Sequence, residues 1–435
     1  MVVKTIGILY QPLGNPSPRN PYRLGVERMI TAASAHGYES RVFIPAGVAR
    51  ESLPKGNCEL VVCPTSFSGE GISDVVAAVT TYHRRTPLHR LFAEQECTVM
   101  LGALCRQAGE IPGLLPERAL PFRNKHVMGR TAQTIGLHVP RSHPATSCSE
   151  IRAFAEKVGW PVIVKPIDGA GSDGIREIGS AAQLDRLWSI FAIDLARWRF
   201  EEYIAGIEYH VDTIVRGGGI VFVRLCRYLG HVLDFRTCPP ASVIRLKNLS
   251  VGEQTILESD AGLLRAFGFT DGVSHNEYYV RNNEVIFGEA AARVGGGHAV
   301  QMIEAATGIN LFDARIRLEL DPSYMPVLVR NDEVGGQMLP ARRAGRITSI
   351  IDTARLFEAG IFEVAHWFDV GDALAAATRS SRMFGYVLAR GRDYTEIAKR
   401  LTVARDLFWV ETDEESSDET VPQHTSPRGS TVGLG

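Results

Sequence analysis

Residues 160–174 read Trp-Pro-Val-Ile-Val-Lys-Pro-Ile-Asp-Gly-Ala-Gly-Ser-Asp-Gly, and few folds accommodate such a stretch. Val162, Ile163 and Val164 have the composition of a buried strand. Lys165 closes it, and Pro166, which lacks an N–H, interrupts the ladder. Gly169, Gly171 and Gly174 follow within six residues, with Ser172 among them. A loop so rich in glycine can turn several backbone N–H groups toward one point and cradle phosphate oxygens. The adjacent lysine adds a point charge for the same anion. One reading is a nucleotide triphosphate under this loop; the other is an ordinary strand, lysine and flexible turn. The spacing is not the Gly-Lys-Ser/Thr phosphate loop, nor Gly-x-Gly-x-x-Gly opening a helix.

The rest of the chain bounds the choice. Its 435 residues suffice for roughly two to four domains or lobes. An apolar content of 45% with 22% charged residues fits a globular protein. The formal net charge of −2 gives no global field for nucleic acid or an anionic membrane. No apolar run approaches the length of a membrane span, and residues 1–10 lack the apolar core and small-residue cleavage site of a signal peptide. Seven cysteines, odd in number and without a Cys-x-x-Cys pair, argue against a disulfide framework or zinc site and for a reducing cytoplasm.

Along the chain, 3–9, 40–44 and 59–63 read as buried strands. Stretches 22–36, 72–83 and 88–94 read as helices, with 98–101 as a further strand. This alternation predicts a small doubly wound parallel sheet. The loop 11–21 then lies at the strand C-termini, where such sheets bind ligands; a solvated connection is its plainer reading. From Asn124 a helix runs to Gly136. A second helix, 149–158, has Ser149 as its cap, and a third spans 181–191 beyond the glycine loop. Strands at 209–215 and 220–229 precede a helix at 254–267 closed by Gly268. Residues 273–280 and 284–290 form an antiparallel pair around 281–283, and 300–307 and 311–319 are helical. A smaller α+β region covers 326–410, with strands at 326–329 and 346–351 and a helix at 393–405. The tail 412–435 is too poor in apolar residues to offset the entropy of ordering and is expected to be disordered.

Several side chains carry chemistry if the fold brings them together. Lys125 and Lys165 flank one lobe. Glu201, Glu202, Tyr203 and Ile204 end a strand whose backbone can meet a purine edge, and Glu208 can accept from ribose hydroxyls. Glu277 and Glu289 sit on neighbouring strands, where two carboxylates repel and call for a counter-charge. Mg²⁺ supplies one and takes oxygen ligands shared with phosphates. Arg293 offers a fork for a carboxylate or acyl phosphate, and Gly295–Gly297 can bring N–H groups to the same anion. For each alone the plainer reading is a solvated lysine, a turn carboxylate or a surface arginine.

The order of these pieces resembles the ATP-grasp enzymes, and more narrowly the carboxylate–amine ligases that include L-amino-acid ligases. The resemblance rests on Asn124-Lys125 with Met128, Arg130, Gly136 and Pro140; on the strand ending in Lys165 with its glycine loop; on Glu201-Glu-Tyr-Ile-Ala-Gly-Ile-Glu208; on His275-Asn-Glu277; and on Glu289-Ala-Ala-Ala-Arg293-Val-Gly-Gly-Gly297. It implies an N-terminal Rossmann-like domain (1–118), then an ATP-grasp fold of two α+β lobes (119–325, the lid about 141–200) completed by 326–411. It further implies ATP and Mg²⁺, with Mn²⁺ as an alternative ion, small carboxylate and amine substrates, and a homodimer. Lys125 and Lys165 would contact ATP, the Gly171–Ser172 loop would close over the phosphates, and Glu201–Ile204 would read adenine. Glu208 would bind ribose, Glu277 and Glu289 would hold the metal, and Arg293 would stabilise the acyl phosphate. Lys165, Ser172 and Arg293 would thus act at the reacting atoms. One position departs: the family's Glu-x-Asn-x-Arg has Ala291 in place of asparagine. A D-alanine–D-alanine or purine-pathway type of acyl-phosphate ligase is one alternative, and a catalytically degenerate ATP-binding regulatory protein is another.

Overall fold

The computed structural model describes residues 4–12, 19–67, 69–144, 147–234, 239–340, 343–375 and 383–413. Most of the tail expected to be disordered lies outside the described residues.

At the N-terminal end, strands Cys58–Cys63, Tyr38–Pro45, Lys4–Leu9 and Leu88–Phe92 lie side by side in that order, all parallel. Helix Pro21–Ala35 returns the chain from the first strand to the second. Its cap is Asn20, whose side chain accepts the Tyr22 N–H at 3.0 Å and the Arg23 N–H at 3.4 Å. Two expectations are corrected here. The stretch 88–94 is a strand, not a helix, and 98–101 belongs to helix Glu96–Gly109. Leu88, Leu91 and Phe92 are all buried. In a parallel sheet covered on both faces the strand loses its alternation, and the remaining spacing mimics a helix.

The centre is an eight-stranded antiparallel sheet. Its order is Glu284–Ala291, Gly272–Arg281, Ile207–Arg216, Gly219–Tyr228, Ala241–Arg245, Val334–Leu339, Gly385–Arg390 and Ile361–His366. The predicted hairpin forms, turning through Asn282 and Asn283 at φ 52° and 65°, the left-handed pair that a tight hairpin turn requires. The strand expected at 326–329 does not form. The sheet instead takes Val334–Leu339, whose two glycines disguise it as a turn. They are there because neighbours press close. A Cβ on Gly335 would stand 2.5 Å from Ile397 Cγ2, and one on Gly336 would stand 2.2 Å from His298 Cδ2.

A small lobe carries its own four-stranded sheet, Ser142–Pro144, Trp198–Glu202, Val162–Pro166 and Arg176–Ile178. Helices Cys148–Val158 and Ala181–Ala192 pack on it. The first is capped by Ser147, not Ser149: Ser147 Oγ accepts the Glu150 N–H. Ile151, Val162, Val164, Leu184, Phe191 and Phe200 form a core separate from the others. The N-terminal sheet and the C-terminal part share a continuous core that runs from Ile6 to Phe408. Among the described residues no helix is long and apolar enough to cross a membrane.

Candidate active site

A cavity of about 1090 Å³ opens between the small lobe, the central sheet and the N-terminal domain. Lys165, Gly171, Ser172, Glu201–Ile204, Glu208, Glu277, Glu289, Ala291 and Arg293 all line it. Lys125 sits just behind, buried, with Nζ 2.9 Å from the Gly169 carbonyl and 3.0 Å from Glu289 Oε1. The structure therefore brings these side chains to one cleft, whereas Arg130 lies elsewhere, in a groove with Asn124 and Arg199.

The glycine loop is built around Pro166. A Cβ on Gly169 would lie 3.2 Å from the proline ring, and one on Gly174 would lie 3.0 Å from it. These two glycines let the loop close over the proline. Gly171 and Ser172, both at φ 59°, form the left-handed tip. The N–H groups of Gly169, Asp173 and Ile175 bond within the loop. Those of Gly171 and Ser172 take no part in these bonds and remain donors for an anion.

Beneath the loop, Lys165 Nζ pairs with Glu201 Oε1, and Arg199 Nε donates to Glu201 Oε2 at 3.1 Å. Burial pushes the Glu201 carboxyl up, but the charges of Lys165, Arg199 and Lys125 outweigh it and hold the pKa below the ordinary range. Arg141 pairs with Glu202, whose N–H donates to the Arg141 carbonyl at 2.9 Å. Tyr203 and Ile204 follow the strand's end. Glu208 is buried on strand Ile207–Arg216, not solvated on a turn. Its Oε2 accepts the Val232 N–H at 3.0 Å, with His231 Nδ1 at 3.6 Å.

Glu277 and Glu289 stand directly opposite each other across the hairpin, as do His275 and Ala291. Burial, then the charges of Glu208 and Glu289, push the Glu277 carboxyl up to about 7. Lys125 is the lysine that the spacing alone did not place here, and it is bonded to Glu289. Two carboxylates, Glu277 and Glu289, facing across the hairpin beside the glycine loop offer oxygen donors of the kind that suits a hard divalent cation. The chemistry of the site fits such an ion.

Arg293 is held from the N-terminal domain. Its Nε pairs with Glu96 Oε2, and Arg123 takes the other oxygen. Burial raises the Glu96 pKa, yet the two arginines and Lys125 bring it down to about 2. The same pairing raises that of Arg293 against its own burial. Glu96 and Tyr22, which lies beside it, are site residues that sequence reasoning missed. Their partners are remote in the chain and no local motif marks them.

A second group, of which only His275 was singled out from the sequence, lies at the cavity wall. Asp212 accepts from His210 Nδ1 at 2.8 Å and from His275 Nδ1 at 2.9 Å. Both histidines crowd its carboxyl and, against burial, lower its pKa. Burial lowers the pKa of His210, and burial with His210 lowers that of His298 to about 3, so both rings are neutral. With Nδ1 protonated, His210 Nε2 accepts from Ser242 Oγ at 3.0 Å. Ser242 Oγ in turn accepts from His298 Nε2 at 3.0 Å. The signal was available: Glu208, His210 and Asp212 alternate, and a strand turns alternate residues to one face.

Comparison with known proteins gives a consistent picture. The model of the carbamoyl-phosphate synthase L chain, ATP binding domain, matches residues 124–211. An L-arginine-specific L-amino acid ligase of Bacillus subtilis is 28% identical over 335 residues, 74% of this chain and 80% of that one. A formate-dependent phosphoribosylglycinamide formyltransferase of Erythrobacter litoralis (strain HTCC2594) is 26% identical, covering 63% of this chain and 68% of its own. Among solved structures, an L-amino acid ligase from Bacillus licheniformis superposes with a TM-score of 0.76 at 17% identity, over 94% of this chain and 99% of that one.

Proposed function

We propose that this chain, an ATP-grasp protein by its fold, is an ATP-dependent carboxylate–amine ligase. One observation supports this above the others. The N–H-rich loop tip, the facing carboxylates of Glu277 and Glu289 and an anchored arginine share one cleft, the set needed to move a phosphoryl group and steady the anions it creates.

In this reading the nucleotide lies under the glycine loop. The free N–H groups of Gly171 and Ser172 take phosphate oxygens, and Lys165 adds its charge. The backbone at Tyr203 and Ile204 meets the adenine edge, and Glu208 accepts from the ribose hydroxyls. Glu277 and Glu289 are the ligands for Mg²⁺, with Mn²⁺ as a substitute; the bound ion would offset phosphate charge and polarise the γ-phosphoryl group. A substrate carboxylate oxygen attacks the γ-phosphorus, the bond to the bridging oxygen breaks, and ADP leaves. An amine then attacks the acyl carbon and loses a proton as phosphate departs, giving an amide. Arg293, fixed by Glu96, faces the negative charge of the acyl phosphate and of its tetrahedral adduct. The substrates we assign are an amino acid or small carboxylic acid and an amine. Most of the acceleration comes from positioning and fixed charge.

The test is phosphate release from ATP and Mg²⁺ across amino acids and small acids, singly and in pairs, with product masses and Glu289→Ala as control. A pair-dependent release that yields the pair minus water and vanishes in the control is the expected result. Nucleotide binding with no turnover on any pair would favour the degenerate reading, for which Ala291 is the specific observation.

A further inference from the structure

Past Arg293 the cleft changes character. Its far end is bounded by Pro240, Met338, Trp367, Phe368 and Met383, none of them charged. This wall is braced from behind. The Trp367 N–H donates to the Phe384 carbonyl at 3.0 Å. Phe368 stacks on Phe384 with centroids 5.5 Å apart and planes 17° from parallel, and Phe384 leans on Phe408 at 5.3 Å. Met338 belongs to the central sheet, and its N–H donates to the Pro240 carbonyl at 2.9 Å. Gly297, at φ 62°, lies opposite. A Cβ there would stand 3.5 Å from Met338 Sδ, so the glycine turn packs close to Met338 and fixes that side of the wall.

Among the described residues, the ionised groups next to this end are already matched. Glu96 spends one oxygen on Arg123 and the other on Arg293. His298 contributes a neutral ring. A guanidinium or ammonium side chain entering here would shed its water without gaining an unpaired carboxylate, an uncompensated cost. An apolar group loses nothing and gains contact with a preformed surface.

We propose that this end of the cleft houses a bulky aliphatic or aromatic side chain on one of the two substrates and discriminates against cationic and small ones. The inference rests on the ligase reading for the fate of the bound molecule, but the pocket's preference is measurable without turnover. An arginine substrate, for which the Bacillus subtilis relative is named, is not what these residues fit.

The experiment is calorimetric binding to the full chain with Mg²⁺ and a non-hydrolysable ATP analogue. The probes are leucine, phenylalanine, alanine and arginine, each also as the plain carboxylic acid with the same side chain. Leucine or phenylalanine, or its acid counterpart, is expected to bind at least about tenfold more tightly than the alanine and arginine probes. Trp367→Ala is expected to erode that preference while leaving alanine binding within about twofold; Met338→Ala serves if the first variant does not fold. Arginine binding as tightly as leucine and phenylalanine, alanine matching them, or no apolar probe binding at all would each overturn the proposal. Phosphate release on the same probes separates the two readings. Apolar binding without release in any pair keeps the pocket and removes the ligase. Release with arginine and no apolar binding does the reverse.

Discussion

Glu96→Gln tests the electrostatic logic of the cleft most directly, because its cost can be worked from the structure. Glu96 is 8% exposed and pairs with two arginines. Its pKa falls from an ordinary 4.5 to about 2 against the penalty of burial. At 1.36 kcal/mol per pH unit this drop is worth about 3 kcal/mol of preference for the charged form. That falls within the ~3–5 kcal/mol cost of removing one member of a buried ion pair. Urea unfolding at pH 7 is therefore expected to show the variant about 3 kcal/mol less stable. The sign of the pH dependence follows from the depressed pKa. The stabilisation is fully present above about pH 4.5 and is lost as the pH falls toward 2. The gap between wild type and variant is thus flat from pH 7 to 4.5 and narrows below. In activity, kcat falls because Arg293 loses its anchor, whereas ATP affinity falls less because Arg123 keeps its bond to the Asp168 carbonyl at the root of the glycine loop. A stability loss under about 1 kcal/mol, a gap that closes between pH 7 and 6, or a parallel fall in ATP affinity would refute the reasoning.

Four further outcomes follow from the same geometry. Lys165→Met removes the partner of Glu201 and a charge for phosphate, and fluorescence titration is expected to show ATP binding weakened about tenfold or more, the worth of a charge-assisted hydrogen bond. The raised pKa of Glu277 means that the folded protein holds a proton which the unfolded chain releases above 4.5, so its contribution to stability is present below that pH and lost as the pH rises through about 7. Metal uptake should accordingly expel a proton at pH 6 and none at pH 8.5, read by calorimetry in buffers of different ionisation enthalpy; equal release at both would count against Glu277 as ligand. Ala291→Asn restores an oxygen beside Glu289, and metal titration is expected to tighten about tenfold, the scale of a single good polar contact. Gly336→Ala drives a methyl into His298, and thermal unfolding should report about 1–3 kcal/mol lost.

What was legible in the sequence was what is local. The hairpin at 281–283 announced itself because two asparagines tolerate positive φ. The glycine loop and the Glu201–Glu208 segment were legible as candidates because each is a short run of neighbouring residues, although Glu201 ends a strand of the small lobe and Glu208 begins one of the central sheet. Strand Leu88–Phe92 was misread because burial on both faces removes the alternation that marks a strand. Strand Val334–Leu339 was hidden because its glycines answer to neighbours, Ile397 and His298, that no window of sequence contains. Glu96 was missed for the same reason, since its arginine lies 197 residues away.

Arg123 and Lys125, two residues apart, explain how the remote and local parts act together. Arg123 joins Glu96 to the Asp168 carbonyl, and Lys125 joins Glu289 to the Gly169 carbonyl. Each cation thus ties the root of the glycine loop to a carboxylate outside the small lobe, one on the N-terminal domain and one on the central sheet. The loop is pinned where it begins, while the N–H groups of Gly171 and Ser172 at its tip take no part in the loop's own bonds. A phosphate approaching the tip meets donors that need not break a bond to receive it. Lys125 is already shared between that loop and the carboxylates opposite. Phosphate bound in the cleft would change the charge seen by Lys125. The two side chains that fasten the loop's root, Arg123 and Lys125, thus come from a single turn of chain.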